Sequence, residues 1–173
     1  MTTDAGSTAA GSTAAGTTAS GDGGASPEPT LLLLSGPNLD LLGEREPEVY
    51  GAATLEDHVA AARAEAARRG MSIEHLQSAH EGDLVEAVHR SRRKASGIIV
   101  NAGALTHYGW SLHDALASFE GPVVELHLSN PGSREEFRHT SVVTPVATAV
   151  IAGLGGAGYP LSVAAMASLL GRD

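Results

Sequence analysis

Apolar residues in this chain fall into short blocks set apart by glycine, proline and polar residues. Leu31-Leu32-Leu33-Leu34 is an unbroken apolar run halted by Gly36-Pro37, the pattern of a buried strand ended by a turn. Residues 97–101 and 122–128 repeat it, apolar on consecutive positions as strands covered on both faces are. Residues 71–76 and 149–154 predict two more strands, the first alternating only loosely at Ile73 and Leu76. Between these runs the period changes. Thr54 reads as an N-cap with Asp57 three residues on, and Leu55, Val59, Ala62 and Ala66 then share one helical face until Gly70. A second helix is expected from Glu81, with Leu84, Val88 and Ala95 inward. A third is expected over 109–119 and a last one over 159–170.

Five strands alternating with helices predict an α/β domain: a doubly wound parallel sheet between helices, with strand order 2-1-3-4-5. Ligands in such sheets bind beyond the carboxyl ends of the strands, where the order switches between strands 1 and 3. Strand 1 brings Asn38 to that edge and strand 3 brings Asn101 and His107. Strand 4 brings Glu125 and His127, two apart and so on one face, followed by Ser129, Asn130, Arg134 and Arg138. These polar groups are expected to converge.

The chain has 173 residues, enough for one domain, but residues 1–29 do not fit that pattern. They contain no Lys or Arg, and Gly6-Ser7-Thr8-Ala9-Ala10 recurs as Gly11-Ser12-Thr13-Ala14-Ala15. Such a segment buries too little to offset its ordering entropy, so a disordered tail is expected, with the folded domain over 30–173. It has neither the basic start nor the apolar stretch of a signal peptide. A net charge of −9 argues against a nucleic-acid partner, and no apolar run reaches membrane-spanning length. The basic group Arg90, Arg92, Arg93 and Lys94 falls near a predicted helix end, where cations complement the helix dipole. Without cysteine there is neither a disulfide framework nor a thiolate metal site, which points to a cytoplasmic protein.

No dinucleotide fingerprint, P-loop or nucleophile elbow is present, and the eight histidines include no pair at ligand spacing, so no metal is expected. The connection after Pro37 runs for about fifteen residues before the next helix, longer than ordinary links and of the length that functional loops have. It carries Asn38, Arg45 and Tyr50; Arg45 is the first basic residue of the chain. From spacing alone two readings stand. Tyr50 and Arg45 do acid–base chemistry on a small anion, or Tyr50 packs on the surface while Arg45 pairs with Glu44 or Glu46.

The stretch Leu34-Ser35-Gly36-Pro37-Asn38-Leu39-Asp40-Leu41-Leu42-Gly43, then Arg45-Glu46-Pro47 and Tyr50-Gly51, resembles the signature of type II 3-dehydroquinate dehydratases. The resemblance continues through Gln77-Ser78-Ala79-His80-Glu81-Gly82, Asn101-Ala102-Gly103, Thr106-His107, Val124-Glu125-Leu126-His127-Leu128-Ser129-Asn130 and Arg134-Glu135-Glu136-Phe137-Arg138-His139. It implies a flavodoxin-like fold and a dehydration of 3-dehydroquinate to 3-dehydroshikimate without cofactor or metal. By the same resemblance Tyr50 is the base, Arg45 lowers its pKa, and Asn38 holds a water against the developing enolate. His127, supported by Glu125, protonates the departing hydroxyl. Asn101, His107, Arg138 and the backbone at Leu128 and Ser129 bind the substrate. Asp114 approaches the site of a neighbouring subunit, since the family assembles as trimers stacked into a homododecamer. Ionising a tyrosine at pH 7 costs about 4 kcal/mol. A guanidinium ~4 Å away supplies about 1 kcal/mol in water but about 4 at an effective dielectric of ~20. Tyr50 can therefore act as a base only in a site that excludes water, which gives the long loop the part of a lid.

The chain departs from that signature at several places. Ser35 and Asp40 stand where asparagines are usual, Tyr108-Gly109-Trp110 replaces smaller residues, Pro131-Gly132 replaces an aliphatic-His pair, and Thr140 replaces a histidine. Either these changes repack a subunit contact, with Trp110 and Pro131 filling each other's space, or they alter substrate preference. Two alternatives to biosynthetic dehydration stay open on sequence: a paralogue acting on a related cyclic keto acid or in quinate breakdown, and a non-catalytic ligand-binding oligomer.

Overall fold

The computed structural model describes residues 28–44 and 52–172. Within them, β1 (Thr30–Ser35), β2 (Ser72–Gln77), β3 (Ala95–Asn101), β4 (Val123–His127) and β5 (Ala149–Ala152) form one sheet, every pairing parallel, in the order β2-β1-β3-β4-β5. This is the expected doubly wound topology.

The leucine run explains why β1 is central. Successive side chains of a strand point to opposite faces. Leu31 and Leu33 enter one apolar layer together with Val59, Ala62 and Ala66 of helix α1 (Leu55–Arg68) and Val163 and Met166 of helix α4 (Gly158–Leu169). Leu32 and Leu34 enter the other, with Leu84 and Val88 of helix α2 (Glu81–Ser91) and Leu112 and Leu116 of helix α3 (Trp110–Ala117). All four leucines are buried, so the run is a strand feeding two cores at once.

Helix α1 starts as expected. Thr54 Oγ1 accepts from Asp57 N at 3.2 Å, and Asp57 Oδ2 accepts from Thr54 N at 2.9 Å, which satisfies two otherwise orphaned N–H groups. Ala95 differs from expectation. Helix α2 stops at Ser91, the Lys94 N–H closes a turn on the Ser91 carbonyl, and Ala95 begins β3 instead of facing inward from the helix. Arg90 pairs with Glu86 one helical turn back at 3.3 Å, and Arg92 donates to the Ser118 carbonyl at 3.0 Å. Helix α3 is shorter than its periodicity suggested, since the Ser118 N–H already turns back onto Asp114 and Ala115.

At the carboxyl edge, the turn after β1 crosses the turn after β3 at very short range. Gly36 N donates to the Asn101 carbonyl at 2.8 Å, and a Cβ on Gly36 would lie 2.2 Å from the Ala102 carbonyl oxygen. Only glycine fits there, and the contact sets Asn38 beside the end of β3. Gly36→Ala is expected to lower stability by about 2 kcal/mol or more, since the obstructing atom is backbone. Gly82→Ala, in helix α2 with nothing within 4 Å, is the control and is expected to be neutral or stabilising. Thermal unfolding of the two variants checks the contrast.

Candidate active site

The edge where β1, β3 and β4 end encloses a cavity of about 320 Å³, lined among others by Asn38, Asn101, His107, His127, Leu128, Arg134 and Arg138. Ser129 lines it as well. Seven residues proposed from sequence are therefore brought to one cavity: Asn38, Asn101, His107, His127, Leu128, Ser129 and Arg138. Glu125 lies directly behind His127. Asp114 is exposed on α3 and does not line this cavity. Arg45 and Tyr50 lie outside the described residues.

Asn38 has a left-handed backbone, φ 64°, and is the one non-glycine residue with positive φ among the described residues. Asparagine tolerates that conformation better than most side chains. It allows the chain to turn sharply after Pro37 into the short 3-10 turn Leu39–Leu41, whose Leu39 is buried in the first apolar layer.

Glu125 organises the opposite wall. Its position on β4 faces the second layer, where Val123 is core, so its carboxylate is fully buried. Burial alone would raise its pKa; hydrogen bonds from His127, Thr106, Thr144 and Ser141 outweigh that and hold it down to about 2. Oε1 receives His127 Nε2 at 2.9 Å, Thr106 Oγ1 at 2.6 Å and Ser141 Oγ at 2.7 Å. Oε2 receives the Thr144 hydroxyl. The three hydroxyl residues were not singled out from sequence. Thr106 adjoins His107 in a quoted motif, but Ser141 and Thr144 follow the arginine segment with no pattern marking them.

His107 is oriented from behind by the Thr140 carbonyl, 2.8 Å from Nδ1. A carbonyl only accepts, so Nδ1 carries the proton and Nε2 is left as the other polar atom of the ring. Glu135, also at the cavity, receives Arg138 Nε at 2.8 Å and lies 3.5 Å from Arg134 Nε. Hydrogen bonding and these guanidinium charges hold the Glu135 carboxyl below the usual carboxylate range.

Asn101 closes the floor, its Oδ1 accepting from Gly103 N at 3.3 Å. Beneath it, burial pushes the Tyr159 phenol up to about 12, a rise tempered by the adjoining side chains of Asn101 and Ser35. Ser35, one of the departures from the family signature, is fully buried and pairs with His75 Nε2 at 3.1 Å. The other departures separate. Pro131 lines the cavity, whereas Tyr108 and Trp110 do not and are 59% and 63% exposed. Within the chain the Trp110 ring meets the edge of His113. Among the described residues no helix is long and apolar enough to cross a membrane, and no cluster of three or more His, Asp or Glu could hold a metal.

Because the folded Glu125 has a depressed pKa, its stabilisation is present above the unfolded value near 4.5 and is lost as pH falls towards 2. The contribution is about 3 kcal/mol. Urea midpoints of the wild type and Glu125→Gln are expected to differ clearly at neutral pH and to converge as pH falls from about 5 to about 2.

Known proteins resemble the chain over most of its length. The model of the family "Dehydroquinase class II" matches residues 29–167. The chain is 52% identical over 139 residues to the 3-dehydroquinate dehydratase of Corynebacterium glutamicum strain R, covering 80% of this chain and 96% of that one. It is 48% identical over 145 residues to the 3-dehydroquinate dehydratase of Bacillus subtilis strain 168, covering 84% and 98%. Among solved structures, the type II dehydroquinase from Butyrivibrio crossotus superposes with a TM-score of 0.78 at 36% identity, covering 80% of this chain and 97% of that one.

Proposed function

The chain belongs to the class II dehydroquinase family, and from that premise we propose how its side chains divide the reaction. The reaction is the dehydration of 3-dehydroquinate to 3-dehydroshikimate, a lyase step of the shikimate pathway towards chorismate and the aromatic amino acids. The observation that carries the division of labour is the His127–Glu125 pair, set in a cavity also lined by Asn38, Asn101, His107 and Arg138.

Tyr50, as phenolate, removes a proton from the carbon next to the ketone, and Arg45 stabilises that phenolate. Electron density moves onto the ketone oxygen, where Asn38 holds a water against the enolate. The enolate then expels the hydroxyl. His127 gives it a proton, so that it leaves as water. The cycle closes after product release, when the proton held by Tyr50 passes through water back to His127 and restores phenolate and imidazolium. For His127 this requires the imidazolium: Nε2 is committed to Glu125, so Nδ1 carries the transferable proton. The ionised Glu125 stabilises positive charge on that ring. Asn101 and His107 bind substrate hydroxyls, and Arg138 binds the carboxylate with the backbone at Leu128 and Ser129. Glu135 keeps the Arg138 guanidinium in place before substrate arrives.

Purified protein mixed with 3-dehydroquinate is expected to form the ultraviolet-absorbing enone. Tyr50→Phe is expected to abolish turnover while substrate still binds, since the change removes the base and little contact surface. Arg45→Lys is expected to lower kcat more than it raises KM, because a planar guanidinium is not replaced by an ammonium. Stopped assays with calorimetric binding check both. Near-normal turnover in Tyr50→Phe would end the tyrosine-base assignment.

The working form is a cytoplasmic homododecamer, a tetramer of trimers, in which Asp114 reaches a neighbouring subunit's cavity. Support comes from the surface of α3, where Asp114 is exposed beside the large apolar area of Tyr108 and Trp110. Trp110→Val is expected to weaken assembly in sedimentation at micromolar concentration. It should change the preference among related keto acids by less than tenfold, within the range one apolar contact supplies.

A further inference from the structure

Ser141 and Thr144 bind no part of the cavity, yet their hydroxyls end on the carboxylate that holds His127. Their proton directions can be assigned. Ser141 Oγ already accepts from Val143 N at 3.0 Å and from Thr144 N at 2.9 Å. Its single hydroxyl proton is therefore given to an acceptor, and the charged Glu125 Oε1 at 2.7 Å is nearer than Thr106 Oγ1 at 3.1 Å. Oε1 thus takes three donors, from Ser141, Thr106 and His127, while Thr144 supplies the one donor on Oε2. Four donors on one carboxylate favour its ionised form.

We propose that Ser141 and Thr144 are positioning residues that set the proton affinity of His127 by sharing the negative charge of Glu125. The inference rests on the role of His127 as general acid. Each hydroxyl bond draws charge away from the oxygen that faces the imidazole. A carboxylate relieved of one donor is more basic, holds the imidazolium more strongly, and makes it a weaker acid towards the departing hydroxyl. The hydroxyls therefore keep Glu125 ionised without letting it capture the catalytic proton. Among the described residues, the other titratable or charged groups lining the cavity are His107 from the turn after β3 and Arg134, Glu135 and Arg138 from the segment after β4. Neighbouring β5 presents Ala152 opposite His127. None of these side chains bonds the Thr144 or Ser141 hydroxyl.

The test uses the full-length protein with Thr144→Val, Ser141→Ala and the conservative Thr144→Ser. Slow exchange of each imidazole C2 hydrogen for deuterium, read peptide by peptide by mass spectrometry across pH, reports the titration of His127 independently of turnover. Thr144→Val is expected to move that titration up by roughly 0.5–1 pH unit, with His107 unmoved. It is expected to lower kcat roughly 3- to 10-fold with KM within twofold, and to move the alkaline limb of the kcat profile upward. Thr144→Ser is expected to restore wild-type titration and rate. Ser141→Ala is the second reading of the same effect if the valine variant folds poorly. A titration of His127 unchanged in folded variants would overturn the proposal. A titration that moves while the kcat profile stays put would support the wiring but remove His127 from the acid role.

Discussion

A buried carboxylate is among the costliest groups a small domain can contain, and the carboxyl edge of this sheet is built around keeping one charged. Glu125 sits on the face of β4 that otherwise supplies apolar side chains to the second layer. Unpaired, its charge would be destabilising by several kcal/mol, and the group would take up a proton instead. Four donors prevent this, and they come from separate parts of the chain: His127 from the same strand, Thr106 from the turn after β3, Ser141 and Thr144 from the segment leading to β5. That requirement folds the last segment across the strand ends. Val142 N bonds the Thr106 carbonyl at 2.8 Å, His113 Nδ1 lies 2.6 Å from the Val142 carbonyl, and the Thr140 carbonyl orients His107. Compensating one charge thus aligns two of the histidines near the cavity or behind it.

Much of this was legible in the sequence because two periodicities were strong. The four leucines of β1 and the apolar runs of β3 and β4 could only be strands buried on both sides, and alternation with helical patterns set the sheet order. The edge strand β2 gave a weaker signal for a physical reason: most of its residues are only half-buried, so little forces them to alternate. Helix ends were legible where a side chain supplies the cap, as at Thr54, and less so at α3, where backbone turns alone stop the helix.

The site divided along similar lines. Asn101 and His127 end their strands and Asn38 lies three residues past β1, so their place at the edge could be read from topology. Ser141 and Thr144 could not be read that way. They meet Glu125 across 16 and 19 residues of chain, and hydroxyl residues in a loop carry no period. Ser35 shows a second limit. Its departure from the family signature left a repacked contact and an altered substrate preference both open; the side chain is buried beneath the floor, paired with His75 and next to Tyr159.

The two halves of the cavity belong to opposite faces of the sheet. Ser35 and Asn101 continue the series of Leu33 and Ile99, which face the first layer, and there the Tyr159 phenol lies against them. Glu125 and His127 continue the series of Val123, which faces the second. A ligand between Asn101 and His127 therefore straddles the sheet instead of lying on one face, and only the open strand ends allow that. The Gly36 crossing is what keeps those ends close, since it draws the turn after β1 onto the turn after β3. On the first face the Tyr159 phenol beneath the floor has its pKa raised by burial; on the second, hydrogen bonds depress the pKa of the Glu125 carboxylate. The buried carboxylate thus lies on the wall where a protonated imidazole is needed, and the floor beneath Asn101 can offer amide and hydroxyl dipoles without competing for that proton.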